Sequence, residues 1–434
     1  MTSSLKNKTL RAVLYLHFLS ALVADDRLFL KQAKTLENKT IAGRSIKFIS
    51  GDVIFTKGNL ILNCQEGRHY EKNDLAVLYK KVSAIQEQRT LTCDTIKFFS
   101  KEDRLLSIGS SHILDPDYDL KADSITVFTK QDSGVALGNV ILKQKGQTIK
   151  ANRIEYQKDK DQDGVSYTAI GDVIIEDSLR IATCGKAKYD RKNEVTTLEV
   201  EPKITEDERV LSGEKIILQY NKEELERLHI PKKAFAVTPI EGFQRSRSDS
   251  TEIGDTLKYA DRMEGSQLTS YFENGKLDSL RIVGMAKTLY HVFEDSIYQG
   301  KNNASGDTII MMFMENELNT LKIIGGSEGK YIPDSVANDV DHPVIYSANY
   351  IKYRLKDDES DFQGKVKIKH DRTDLDAGFV SVNWQNNLLN ALPRMMSDTI
   401  SEPLFPIIKE DGRDPMTGDA MVYNLKTRKG KITK

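Results

Sequence analysis

The sequence predicts an all-β fold, a stacked antiparallel β-jellyroll or open β-solenoid built from repeats of about 29 residues. Three observations carry that expectation. The first is a recurring stretch, Leu91-Thr92-Cys93-Asp94-Thr95-Ile96-Lys97-Phe98, which returns as Leu120 to Val127 and as Ile149 to Tyr156. Its pattern is apolar, polar, small, Asp or Asn, polar, Ile, polar, apolar, and the small residue advances by 29 each time. The second is a glycine 13 positions before the small residue, seen at Gly51, Gly109, Gly138 and Gly171. The third is composition: Ile, Val, Thr, Tyr and Phe alternate with polar residues, while helix formers at helical spacing are scarce. One such unit cannot bury its own apolar face, so the units must stack.

Taken in order, residues 1–24 have the plan of a secretory signal peptide. Lys6, Lys8 and Arg11 form a basic region, Ala12 to Val23 is apolar except for His17 and Ser20, and Ala24 precedes Asp25-Asp26. The run is too short to span a membrane, so the mature chain is expected to be exported and soluble. Residues 25–43 are a polar lead-in with one apolar face. The 434 residues carry a formal net charge of −1, which gives no reason to expect nucleic acid as a partner.

The first module is expected over 25–220. Anchored on the small residue, its rungs fall at Cys64, Cys93, Ala122, Ala151, Cys184 and Gly213, with steps of 29, 29, 29, 33 and 29. The charged turn Lys158 to Gly164 accounts for the long step. Side-chain parity then breaks inside each rung. Leu120 and Ala122 share one face, whereas Ile125 and Val127 fall on the other. Both sets point inward only if a bulge or corner lies between them, and Asp94, Asp123, Asn152 and Gly185 are residue types that suit one.

Residues 221–335 read as a looser continuation. Asn221 to Phe235 interrupts the pattern, as a helical turn or a charged loop. Asn274-Gly275 between alternating runs predicts a hairpin, and a second hairpin is expected about Glu315 to Glu317. Residues 331–343 read as a linker. The strict repeat restarts over 336–434, with Ala348 and Ala377 29 positions apart and Gly364 again 13 before Ala377. A Pro-bearing excursion then leads to a rung opened by Thr417 to Asn424, and the ladder reaches Lys434 at a strand, where a partner or a further segment is expected to cover it.

Candidate chemistry is sparse. Cys64, Cys93 and Cys184 all occupy the small position, which suits buried apolar residues. A Cys64–Cys93 bridge is the minor alternative. No His or second Cys lies at metal-ligand spacing, no serine-nucleophile elbow occurs, and Ile324 to Lys330 lacks the first Gly and the final Ser or Thr of a phosphate loop. Asp94 and Asp123 could open a row of carboxylates, but Asn152 and Gly185 replace them in the next rungs, which favours a structural role. No catalytic residue, cofactor or metal is therefore expected.

The idiom of Gly, Asn or Asp, Val, x, Ile, a polar turn, and then apolar-x-Ala-Asp/Asn-x-Ile-x-Tyr stands here as Gly138 to Tyr156 and, less strictly, as Gly171 to Tyr189. It resembles the OstA/LptA family of periplasmic lipopolysaccharide transport modules. Residues 336–434, Met421 to Thr427 above all, resemble the N-terminal module of the LptD translocon. The resemblance implies a non-enzymatic periplasmic bridge that holds lipopolysaccharide acyl chains in an apolar groove and passes them toward the outer membrane. It implies other OstA-like modules as partners through sheet-edge pairing, and an outer-membrane translocon. Ile96, Phe98, Ile125, Val127, Ile154 and Tyr156 are expected to line the groove, the alternative being plain core. Two other functions stay open: a carbohydrate-active β-solenoid enzyme, and a purely structural envelope protein.

Overall fold

A computed structural model describes residues 27–158, 165–222, 224–245, 253–315, 317–336, 340, 342–395 and 402–433. The expected signal peptide and the loop at 159–164 lie outside them. The described residues form a single 31-stranded sheet, antiparallel throughout except for one isolated parallel bridge, Phe243 to Ile297. The first strands are β1 (Phe29–Gln32), β2 (Thr35–Ile41), β3 (Arg44–Lys57), β4 (Leu60–Tyr70), β5 (Leu75–Gln86), β6 (Arg89–Phe99), β7 (Arg104–Leu114), β8 (Asp119–Phe128), β9 (Ser133–Gln144), β10 (Gln147–Lys158), β11 (Val165–Glu176) and β12 (Arg180–Asp190).

From β3 to β11 each strand pairs with the next, and each pairing shifts register once near its middle. The shift divides every rung into two arms. Arm one holds the halves that end in the turns at 71–74, 100–103 and 129–132. Arm two holds the halves that end at 58–59, 87–88, 115–118 and 145–146. The apolar faces of both arms merge into one core running from Leu28 to Leu425. The parity break is as expected: in β8, Leu120, Ala122, Ile125 and Val127 are all buried, while Asp123 and Ser124 stand outward in succession.

The corner is made differently from the expectation. The extra residue lies on the strand carrying the glycine mark, not on the strand carrying Asp94, Asp123 or Asn152. Between β7 and β8, for example, Gly109 and Ser110 oppose Asp123 alone. Each such pair is left-handed: Gly51-Asp52, Gly109-Ser110, Gly138-Asn139 and Gly171-Asp172 have φ between 39° and 82°. The Asp or Asn instead stands over the glycine of the following strand. A Cβ on Gly138 would lie 2.2 Å from Asp123 Oδ2, and one on Gly109 2.2 Å from Asp94 Oδ2. Lys80 and Val200 occupy the same place in the two rungs where the glycine is missing, and they keep the left-handed backbone at φ 62° and 64°. At the Val200 rung the partner position is Gly185, whose own Cβ would meet Val200 Cγ1 at 2.7 Å. The large and small partners have exchanged places there.

Next come β13 (Val195–Glu199), β14 (Lys203–Glu206), β15 (Arg209–Ser212), β16 (Lys215–Asn221) and β17 (Glu224–Ile230). The two halves of β12 pair separately with β13 and β14, so the rung continues as separate strands. The stretch from Asn221, expected to break the ladder, contains β17. Leu225, Leu228 and Ile230 are its buried residues. Their spacing of three then two departs from strand alternation because the pairing with β16 skips Glu226, between Leu225 and Arg227. Beyond it lie β18 (Ala234–Arg245), β19 (Ile253–Gly265), β20 (Gln267–Glu273), β21 (Lys276–Glu294), β22 (Ile297–Met314) and β23 (Glu317–Pro333). The Asn274-Gly275 hairpin joins β20 to β21 with both turn residues left-handed, as expected. The two-armed rung resumes in β24 (Val344–Arg354), β25 (Glu359–His370) and β26 (Thr373–Asn383). It then divides over β27 (Leu388–Leu392), β28 (Ile407–Glu410), β29 (Met416–Thr417), β30 (Ala420–Asn424) and β31 (Lys429–Thr433).

A left-handed β-branched residue is strained, whereas glycine at that backbone is not. Gly138→Val is expected to lower unfolding free energy by roughly 1–3 kcal/mol. Val200→Gly is expected to raise it by about 1 kcal/mol, because exposed Val200 has little packing to lose. Urea unfolding of the two variants measures both. Changes of the same sign would show that the corner does not set these preferences.

Candidate functional site

All six residues expected to line the groove lie on arm one of three alternate strands. Ile96 and Phe98 are on β6, Ile125 and Val127 on β8, and Ile154 and Tyr156 on β10. Every one points into the core, with 0–6% of its surface exposed. Phe55 and Leu62 of arm two are also fully buried in the same cluster. The interior is thus apolar along this length and closed. Anything of acyl-chain size would have to part the two arms.

What holds the arms together is a row of ion pairs along the mouth. Lys57, at the tip of arm two, donates to Asp103 Oδ1 at 2.6 Å and to the carbonyl of Ser100, both in an arm-one turn. Arg89 of arm two donates to Asp132 Oδ1 of arm one at 2.9 Å and to Asp115 at 3.1 Å. Lys158 of arm one reaches back to Asp115 and Asp117 of arm two at 3.1 and 3.0 Å. Gln144 and the backbone of Val165 exchange two hydrogen bonds across the same seam. A more exposed pair, Arg428 with Asp371 at 2.8 Å, joins the arms in the C-terminal module.

This clasp sits directly over the predicted lining. Lys57 Nζ is 5.9 Å from the ring centroid of Phe98. Arg89 is 5.9 Å from the ring of Tyr118, which lies 6.0 Å from the ring of Tyr156. The hydroxyls of Tyr118 and Tyr156 are buried and have no hydrogen-bond partner among the described residues. Such groups carry a desolvation cost that a bonded hydroxyl does not.

The clasp escaped the sequence reading, although half of it follows the repeat. Asp74, Asp103, Asp132, Glu194, Asp358 and Asn387 all stand ten positions after a small residue, and all are left-handed. The carbonyl of each accepts an N–H from the next turn of the same arm, as in Thr129 to Asp103 at 2.9 Å and Lys158 to Asp132 at 2.8 Å. That third periodic mark was available. The cations were not, because they fall at unrelated repeat positions.

Cys64, Cys93 and Cys184 are free thiols, and burial pushes each up to about 11. The alternative Cys64–Cys93 bridge is not formed. A buried pair elsewhere, Asp261 with His291 Nδ1 at 2.7 Å, ties β19 to β21 beneath an aromatic cluster of Tyr259, Phe293 and Tyr298. The outer face of arm two in the second half forms an open hollow of about 970 Å³ in which Lys330 and Lys367 alternate with Glu264, Glu328 and Asp376.

Burial alone would raise Asp115, but the amide of Asp117 with Lys158 and Arg89 holds it below the ordinary carboxylate value of 3.8. Asp103 is likewise lowered against its burial, by Lys130 and Lys57. A carboxyl whose folded value is depressed stabilises fully above its unfolded value and loses that contribution as pH falls through the folded one. Melting temperature should therefore drop as pH is taken below about 4, and the drop should be shallower in Asp115→Asn. At neutral pH, Asp115→Ala is expected to cost roughly 2–3 kcal/mol, less than a fully buried pair because Lys158 keeps some water. Calorimetry across the pH series checks both.

Residues 119–224, from β8 to the start of β17, match the family described as LptA/(LptD N-terminal domain) LPS transport protein. Among solved structures, LptH, the LptA-homologous periplasmic component of the lipopolysaccharide transport device of Pseudomonas aeruginosa, aligns at 21% identity. That alignment covers 25% of this chain and 79% of LptH, with a TM-score of 0.23. No curated protein matches the sequence. The family match falls on the rungs that hold four of the six predicted lining residues, and residues 119–224 are similar to the LptA/LptD N-terminal lipopolysaccharide transport proteins.

Proposed function

We propose that this chain is a non-enzymatic component of a periplasmic bridge that takes lipopolysaccharide acyl chains between its two arms and passes them toward the outer membrane. The observation that carries the reading is the coincidence of the family match with the rungs of Ile125, Val127, Ile154 and Tyr156. Ile96 and Phe98 extend the same apolar strip toward the N-terminal end. No bond in the lipid has to break for such a passage, so the work is supplied by a motor elsewhere, and residues 1–24 act as the export signal.

Edge pairing supplies the contacts of the bridge. All seven residues of β2 are exposed, and among the described residues β2 pairs only with β3. At the other end β31 pairs only with β30. Backbone groups on such edges template a strand from another module. The partners are thus other OstA-like modules and an outer-membrane translocon.

The closed interior favours a second reading, a purely structural envelope protein. Photo-crosslinkers at Phe98, Val127 and Tyr156, with exposed Lys121 as control, separate the two in cells. Capture of lipopolysaccharide at the three interior positions, well above the control, is expected. Equal yields at all four positions would leave the structural reading standing and remove the transport one.

A further inference from the structure

The clasp combines features that a purely structural seam does not need. Lys57, Arg89 and Lys158 line one stretch of the mouth, each held by carboxylates of the opposite arm. A single carboxylate, Asp115, serves both Arg89 and Lys158. Beside it lie the two buried tyrosine hydroxyls without partners. An apolar interior thus lies beneath a rim of cations and idle donors. Those groups suit a ligand with acyl chains below and an anionic, hydrogen-bond-accepting head above.

Resting on the transport reading, we propose that the clasp is the site where phosphate groups of the lipid are received. As the arms part, Arg89 leaves Asp132 and Lys158 leaves Asp115 and Asp117, both cations take a lipid phosphate instead, and Tyr118 and Tyr156 turn their hydroxyls to it. Lys57 makes the same exchange against Asp103 one segment along. The arms then reclose on Asp115 when the lipid moves on, so the same residues exclude water from the interior when empty and anchor the head group when loaded.

The test uses the purified full chain with a photo-crosslinker at Val127, which belongs to no clasp pair. Lipid A carrying both phosphates is compared with the same lipid after dephosphorylation. In Arg89→Gln/Lys158→Gln, capture of the phosphorylated lipid should fall roughly tenfold, the value of one charge-assisted hydrogen bond. Capture of the dephosphorylated lipid should change by less than about twofold on the same scale. Asp115→Asn, which takes one carboxylate from each of the two cations, should speed capture of the phosphorylated lipid; melting curves identify any variant that does not fold. Equal capture of the two lipids by the wild-type chain overturns the proposal, as does a parallel loss of both in the double variant. Inorganic phosphate alone raising the melting temperature as far as the phosphorylated lipid does would mark a free-anion site and overturn it too. Capture of neither lipid by the wild-type chain is a different result, because it removes the transport reading itself.

Discussion

Everything in this molecule depends on one backbone event per rung. A long antiparallel sheet has a single apolar face, and it can cover that face only by folding over itself. The left-handed pair on every second strand does this by inserting one residue where the partner has one fewer, so that both halves of the partner turn inward. The constraint is on backbone more than on residue type. Lys80 and Val200 accept it where glycine would be easier, and the Val200–Gly185 exchange shows that the volume is conserved across the pair even when the sequence is not. The core, the two arms and the mouth between them all follow from that corner.

The legible part of this fold was the part that repeats locally. The 29-residue step, the glycine 13 positions earlier and the broken parity of Leu120 to Val127 each lie within one rung, and together they require a bent strand. Which strand carries the extra residue was not legible, because Asp94 and Asp123 suit a bulge and also suit a lid over glycine. Leu225, Leu228 and Ile230 were misread for a related reason. A bulge between strands makes strand residues recur at helical spacing, and periodicity alone cannot separate the two. The clasp was harder still. The partners of its ion pairs are 26 to 46 positions apart and come from different rungs, so no motif contains both members.

Closure of the interior and the chemistry of its rim are connected. An apolar trough left open in water would present a large exposed apolar patch, which soluble proteins rarely tolerate. Here the two arms meet and their edges are joined by charges that keep part of their hydration. Pairs of that kind add little stability for each charge buried. Their use is geometric: they hold a seam shut without making it part of the core. The free cysteines, buried at the small positions and kept as thiols, add no covalent link across it.

The two edges of the mouth are not equivalent. Along arm one, each turn hands a carbonyl to the N–H of the next turn, from Asp74 to Ser100, Asp103 to Thr129 and Asp132 to Lys158. That edge behaves as a continuous rail. The ion pairs crossing to arm two skip between rungs, and Asp115 links two of the cations, taking Lys158 across the seam and Arg89 on its own arm. Loosening one pair therefore disturbs another on a different strand. The smallest segment able to open is longer than one repeat, and from β6 to β10 it spans four strand spacings, on the order of 19 Å. A seam coupled in this way yields several strands at a time, not one rung.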